Sequence, residues 1–151
     1  MQWDIEHTGT FEAWWDTLAE AETESVRASV LLLRHYGPHL RFPHSSGIHG
    51  SRHGNMRELR IQQGGRPLRV LYAFDPRRCA ILLLGGEKTG DDRWYRKHVP
   101  IADRLYDDHL KTLETRIDRW PGSFPNSKRR CRPPRASGRT RSIGDWLPKC
   151  L

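Results

Sequence analysis

The sequence has no apolar run long enough to span a bilayer as a helix. Its start, MQWDIEHTGTFEAWW, carries acid where a secretory signal would carry base, so a cytoplasmic protein is expected. Cysteine is scarce: Cys79, Cys131 and Cys150 are odd in number and widely spaced. Such spacing fits a reducing cytosol better than a disulfide framework. Cys79, inside a strand-like run, reads as a small buried hydrophobe. No internal repeat is visible.

Charge of one sign is missing from both ends. Residues 1–24 hold seven acids and no base, and residues 119–141 hold eight Lys/Arg and no acid. Between them, residues 25–89 carry eleven Lys/Arg against three acids, and residues 90–118 carry six against seven. The first 118 residues are therefore neutral in sum, and residues 119–151 supply the whole formal charge of +8. Two basic zones remain, the middle of the chain and its end, and each could meet nucleic acid.

What is present up to residue 118 is the material of one small α+β domain. QWDIEH (2–7) alternates and suits a short first strand. Thr8 or Thr10 can cap a helix beginning near Phe11, where Phe11, Trp14, Trp15 and Leu18 form an apolar stripe. A second helix is expected over about 22–36, with Val26, Val30 and Leu33 on its apolar face and Gly37-Pro38 as its stop. Residues 38–54 read as loop. Three strands follow, over about 55–63, 67–74 and 79–85, with Gly64-Gly65 and Asp75-Pro76 as turns and Gly85-Gly86 as the end of the last. A closing helix runs over about 91–116, with a kink or restart expected at Pro100. From Trp120 onward periodicity stops and prolines alternate with bases, so residues 119–151 read as a basic, mostly disordered extension.

Chemistry concentrates between Asn55 and Tyr95. Arg57, Arg60 and Arg69 lie on the predicted strands, and Lys88 and Tyr95 follow the last. Arginines on a sheet are costly unless they meet an anion or water. Several cations and a phenol are what a metal-free site needs to hold a phosphate and stabilise charge at phosphorus. Strand parity puts Met56, Glu58 and Arg60 on one face and Arg57, Leu59 and Ile61 on the other. Leu59 and Ile61 belong against the helices, so Glu58 and Arg60 are expected on an open, concave side. His44, His49 and His53 lack standard zinc-ligand spacing, and neither metal nor cofactor is expected. They are either ordinary solvated histidines or part of a loop over the site, in which His49 or His53 could act as a general acid.

The segments NMRELR (55–60), LRVLYAFDPRR (68–78), LLGGEKTG (83–90) and WYRKHVPIADRLYDDHL (94–110), in this order, resemble the RelE/ParE superfamily of bacterial toxins. Within it, the chain is similar to the HigB-like, phage-derived branch. The resemblance covers roughly residues 1–113 and none of the extension. It implies a β-α-α-β-β-β-α fold, a mostly antiparallel sheet with helices on one face. It also implies a type II toxin that cleaves mRNA on the ribosome and is silenced by a HigA-like antitoxin. Arg69 would lie on the open face beside the scissile phosphate, helped by Arg60 and Lys88, with Tyr95 stacking on a base while Trp94 enters the core. Arg57 would be a further RNA contact. Glu58 departs from the pattern, which has a lysine near this place. It is either a base for the ribose 2′-hydroxyl or a salt-bridge partner of Arg60 or Arg69. Two other functions stay open: a ParE-like toxin acting by protein binding, and a phage-derived regulator without nuclease activity.

Overall fold

The computed structural model describes residues 2–88, 93–118 and 141–142. In chain order it has β1 (Ile5–His7), α1 (Gly9–Trp15), α2 (Glu20–Tyr36), a 3-10 turn (Gly37–His39), β2 (Ser45–Gly47), β3 (Met56–Gln63), β4 (Arg66–Phe74), β5 (Ala80–Glu87), α3 (Arg93–Asp118) and β6 (Arg141–Ser142). The strands form one sheet in the order β2-β3-β4-β5-β1-β6. All its pairings are antiparallel except β1 with β5, which is parallel. This is the expected α+β, RelE-like fold, with the expected turns. Thr8 caps α1, its hydroxyl accepting from Phe11 N at 3.2 Å. Glu22 closes the start of α2 by accepting from Ala19 N at 3.2 Å, and it also holds Arg66 at 2.9 Å.

Three local expectations are corrected. Ser45–Gly47, read as loop, pairs with β3 as an edge strand. Gly85 and Gly86 do not end β5 but lie within it. A Cβ at Gly85 would fall 2.2 Å from the Trp14 ring, and one at Gly86 would fall 2.9 Å from Trp94. The glycines are beds for two indoles on opposite faces, so what reads as turn chemistry is close packing. Helix α3 continues through Pro100 without a restart. Cys79 is buried, as expected. Of the basic extension, Arg141–Ser142 pairs with β1, and the rest lies outside the described residues.

The main difference is that the helices do not share one face. Phe11, Val26, Val30 and Leu33 of α1 and α2 pack against Leu59, Ile61, Leu68, Val70 and Tyr72. Trp94, Val99, Ala102 and Tyr106 of α3 pack against Leu71, Ala73, Ile81 and Leu83 on the other side. Both faces of the central strands are therefore apolar, β4 being buried at nearly every position. Each fully buried aliphatic or aromatic side chain contributes about 1.5–3 kcal/mol. On this second face α3 covers β4 and β5 and buries Arg69, while Glu58 and Arg60 of β3 line a cleft beside the helix.

A buried carboxylate fixes α3 in place. Asp75, at the β4–β5 turn, accepts from Arg77 N (2.8 Å) and Cys79 N (3.1 Å) through Oδ1. Its Oδ2 meets the Arg77 guanidinium (2.7 Å) and His109 Nε2 on α3 (2.9 Å). Arg77 continues to Glu6 of β1 at 3.0 Å. Burial alone would raise the Asp75 carboxyl, but the bonds from His109 and Arg77 outweigh it and hold the pKa below the ordinary value. A depressed carboxyl contributes stability above its unfolded pKa and loses it as pH falls through the folded one. Asp75→Asn should therefore cost on the order of 3 kcal/mol near neutral pH. The cost should shrink as pH drops below about 4. Urea melts of both proteins across that range check it, and equal stability at neutral pH would refute the network's role.

Candidate functional site

Strand β3 sets the site. Glu58 and Arg60 point toward α3, and Arg60 lies directly opposite Arg69 of β4. Like charges at paired positions repel. Glu58, two residues before Arg60, answers both. Its Oε1 accepts from Arg60 Nη1 at 3.2 Å and from the Ser46 hydroxyl of β2 at 2.9 Å. Its Oε2 accepts from the Tyr95 phenol at 2.7 Å and lies 3.9 Å from Arg69 Nε. Glu58 is only 3% exposed, so this carboxylate is held by its partners rather than by water.

Arg69 is expected on an open face, yet it is 7% exposed. The reason is the placement of α3, whose first turn brings Trp94 and Tyr95 onto this side of the sheet. Arg69 Nη1 donates to its neighbour's carbonyl, Leu68 O, at 2.9 Å. Its Nε has no hydrogen-bond acceptor among the described residues. A buried guanidinium donor without an acceptor costs free energy until an anion supplies one. Lys88 Nζ stands 4.9 Å from the centre of the Tyr95 ring, at the other edge of the group. Burial first, and then the bond to Glu58, raise the Tyr95 phenol above its ordinary pKa, with Arg69 opposing. Tyr95 therefore remains a neutral donor at physiological pH.

Beside this cluster lies a cleft of about 660 Å³, lined by Ser46, His49, Glu58, Arg60, Tyr95 and Arg96, among others. The structure thus brings Glu58, Arg60, Arg69, Lys88 and Tyr95 together, and it puts His49 on the cleft wall. It does not bring His53 there. His53 Nε2 sits 2.8 Å from Asp107 of α3, with its ring edge-on to Tyr106. Ser51 and the Arg52 backbone N–H bind Asp103, so the loop after β2 is strapped to α3. Arg57 also lies apart: on the opposite side of β3 its Nε donates to Ser45 Oγ at 3.3 Å, which in turn meets the Tyr72 hydroxyl. Trp94 takes the core place on Gly86, leaving Tyr95 for the cleft. Glu58 has the contacts of a salt-bridge partner to Arg60. Among the described residues no group of three His, Cys, Asp or Glu could hold a metal ion.

Three contributors escape the sequence reading. Ser46 was hidden because its strand is three residues long. Arg96 follows Tyr95 in a run of charge that reads as a solvated helix face. Phe42, in a polar loop, is 72% exposed and carries the Arg60 guanidinium 5.2 Å from its ring centre. An aromatic among Pro, His and Ser was the available signal for it.

Residues 13–107 match the family described as phage-derived protein Gp49-like (DUF891). The chain is also similar to two Mycobacterium tuberculosis proteins provisionally named toxin HigB2 and toxin HigB3. It is 40% identical to the first over 104 residues, 68% of this chain and 52% of that protein. It is 42% identical to the second over 100 residues, 66% of this chain and 86% of that one. The chain thus spans about half the length of the first relative and most of the second. The family match takes in β2 to β5, the cleft residues and α3 as far as Asp107, and the chain belongs to the Gp49-like family, in its HigB-like branch.

Proposed function

We propose that this chain is the toxin of a type II toxin–antitoxin system and that it cleaves mRNA at the ribosome, in the cytoplasm, without a metal. The observation that carries this reading is the buried donor of Arg69, free of any acceptor among the described residues, beside a cleft rimmed with cations. A phosphate oxygen entering there satisfies it. The relatives' names as toxins favour the same reading.

In this reaction the ribose 2′-hydroxyl attacks the adjacent phosphorus in line. The bond to the 5′-oxygen breaks, leaving a cyclic phosphate and a 5′-hydroxyl. Arg69 and Arg60, with Lys88 nearby, stabilise the charge that develops on the phosphoryl oxygens. Glu58 acts as the anchor that keeps two opposed arginines and Tyr95 in one geometry. The 2′-hydroxyl gives its proton to water, or to Glu58 where Tyr95 or Ser46 gives up its bond. His49 is the cleft's imidazole, able to deliver a proton to the departing 5′-oxygen. Strong acid–base groups are unnecessary where the ribosome aligns the substrate, since positioning alone lowers a barrier by about 7–11 kcal/mol. The extension beyond residue 118, with nine Lys/Arg and one acid, would add sequence-independent attraction to RNA.

Because Arg69 is buried, its removal would disturb the fold as well as the chemistry. Arg69→Lys keeps the charge and loses the planar fork. It should lower cleavage by about 10²–10³-fold, with the mutant still folded. Growth arrest on induction, with primer extension on a translated mRNA, reads the effect. A lysine variant that cleaves at the wild-type rate would remove Arg69 from the site.

A HigA-like antitoxin would silence the toxin by covering the basic zone of residues 25–89, which has eleven Lys/Arg against three acids. An acidic or amphipathic segment suits that surface. Adding purified antitoxin to a translation extract should stop cleavage. A stable complex that still cleaves at full rate would rule out occlusion.

A further inference from the structure

Phe42 is the most exposed large hydrophobic residue described, yet it is not loosely placed. His44 N and Ser45 N both donate to Arg41 O, at 3.0 and 3.1 Å, so the segment is a closed turn leading into β2. His44 O in turn accepts from Arg60 N at 2.8 Å, tying the turn to the strand that carries the site. One side of the ring faces the Arg60 guanidinium. That guanidinium is the one bonded to Glu58, so a single arginine links the ring to the centre of the cluster. With 72% of the residue exposed, the rest of the ring is open to solvent.

The same arrangement recurs across the cluster, where Lys88 stands over Tyr95. Two cation–aromatic pairs, Arg60 with Phe42 and Lys88 with Tyr95, thus flank one buried carboxylate. An aromatic ring beside a cationic groove is how proteins bind single-stranded RNA, the ring stacking on a base while the cation meets the adjoining phosphate. We propose that Phe42 is a base-stacking platform for a nucleotide flanking the scissile phosphate, with Arg60 holding the phosphate between that base and the one at Tyr95. This rests on the nuclease reading and adds a subsite to it. A single exposed ring backed by a guanidinium is a poor fit to an apolar protein partner, which would need a wider greasy patch.

The test is binding of a short single-stranded oligoribonucleotide carrying 2-aminopurine, whose fluorescence falls when it stacks. The full chain is compared with Phe42→Ala, Phe42→Leu and Phe42→Tyr. The ring is exposed, so all three variants should fold. Stacking predicts quenching by wild type and by the tyrosine variant. It also predicts that alanine and leucine both lose the quench and bind about 10- to 100-fold more weakly. Leucine behaving as wild type would mean that apolar bulk suffices, and would overturn the platform. So would an alanine variant that binds and quenches like wild type, although the RNA reading would survive. If variants of Phe42 lose antitoxin binding instead while RNA binding is unchanged, the ring belongs to a protein interface and the proposal fails. If wild type binds no RNA at all, the platform falls, and the nuclease reading is judged separately by primer extension on a translated mRNA.

Discussion

Two arginines face each other across neighbouring strands, and the site depends on how that repulsion is met. Arg60 and Arg69 occupy paired positions on β3 and β4, under a helix that limits their access to water. A buried carboxylate at Glu58 makes the arrangement possible. It bonds one guanidinium, stands near the other, and accepts from a serine and a tyrosine that come from different elements. Removing its charge leaves two cations opposed in a partly dry place. The carboxylate also leaves one guanidinium donor, Arg69 Nε, without a hydrogen-bond acceptor among the described residues.

The scaffold around this group follows from packing. Gly86 admits the Trp94 indole against the sheet, and that seats the first turn of α3, so Tyr95 can reach Glu58. The Asp75 network pins the same helix about one turn past its middle through His109 and joins it to β1 through Arg77 and Glu6. Asp103 and Asp107 draw the loop after β2 onto α3, with Arg52 and His53 holding the Asp107 carboxyl below its usual range. That strap leaves His49 on the cleft wall and takes His53 away from it.

Much of this was legible from the sequence, and the parts that were not have physical reasons. Alternation in MRELRIQQ placed Glu58 and Arg60 on one face, and the turn residues placed each hairpin. Glu58 and Arg60 both line the cleft, but a helix over the neighbouring β4 and β5 does not show in the pattern, because periodicity records which side is apolar on each element, not which helix lies over which side. Leu71, Ala73, Ile81 and Leu83 supply an apolar second face on β4 and β5, and this was the missed sign that a helix covers it. Arg69 was read as accessible for the same reason. Gly85-Gly86 reads as the end of a strand because a glycine that makes room for an indole looks the same in sequence as one that stops the strand. Glu58 reads equally as a base or as an ion-pair partner in the sequence, since both roles need the same residue at the same position.

The account is tested most directly at Glu58. The measurement is the mapping of 5′-ends of cellular mRNA after brief induction, for wild type and for Glu58→Gln, a change that keeps the shape and removes the charge. The account predicts new 5′-ends with wild type, and at least about a 10²-fold reduction with the glutamine variant once its folding has been verified by circular dichroism. Equal cleavage by the two proteins, or no new ends with wild type, would contradict it.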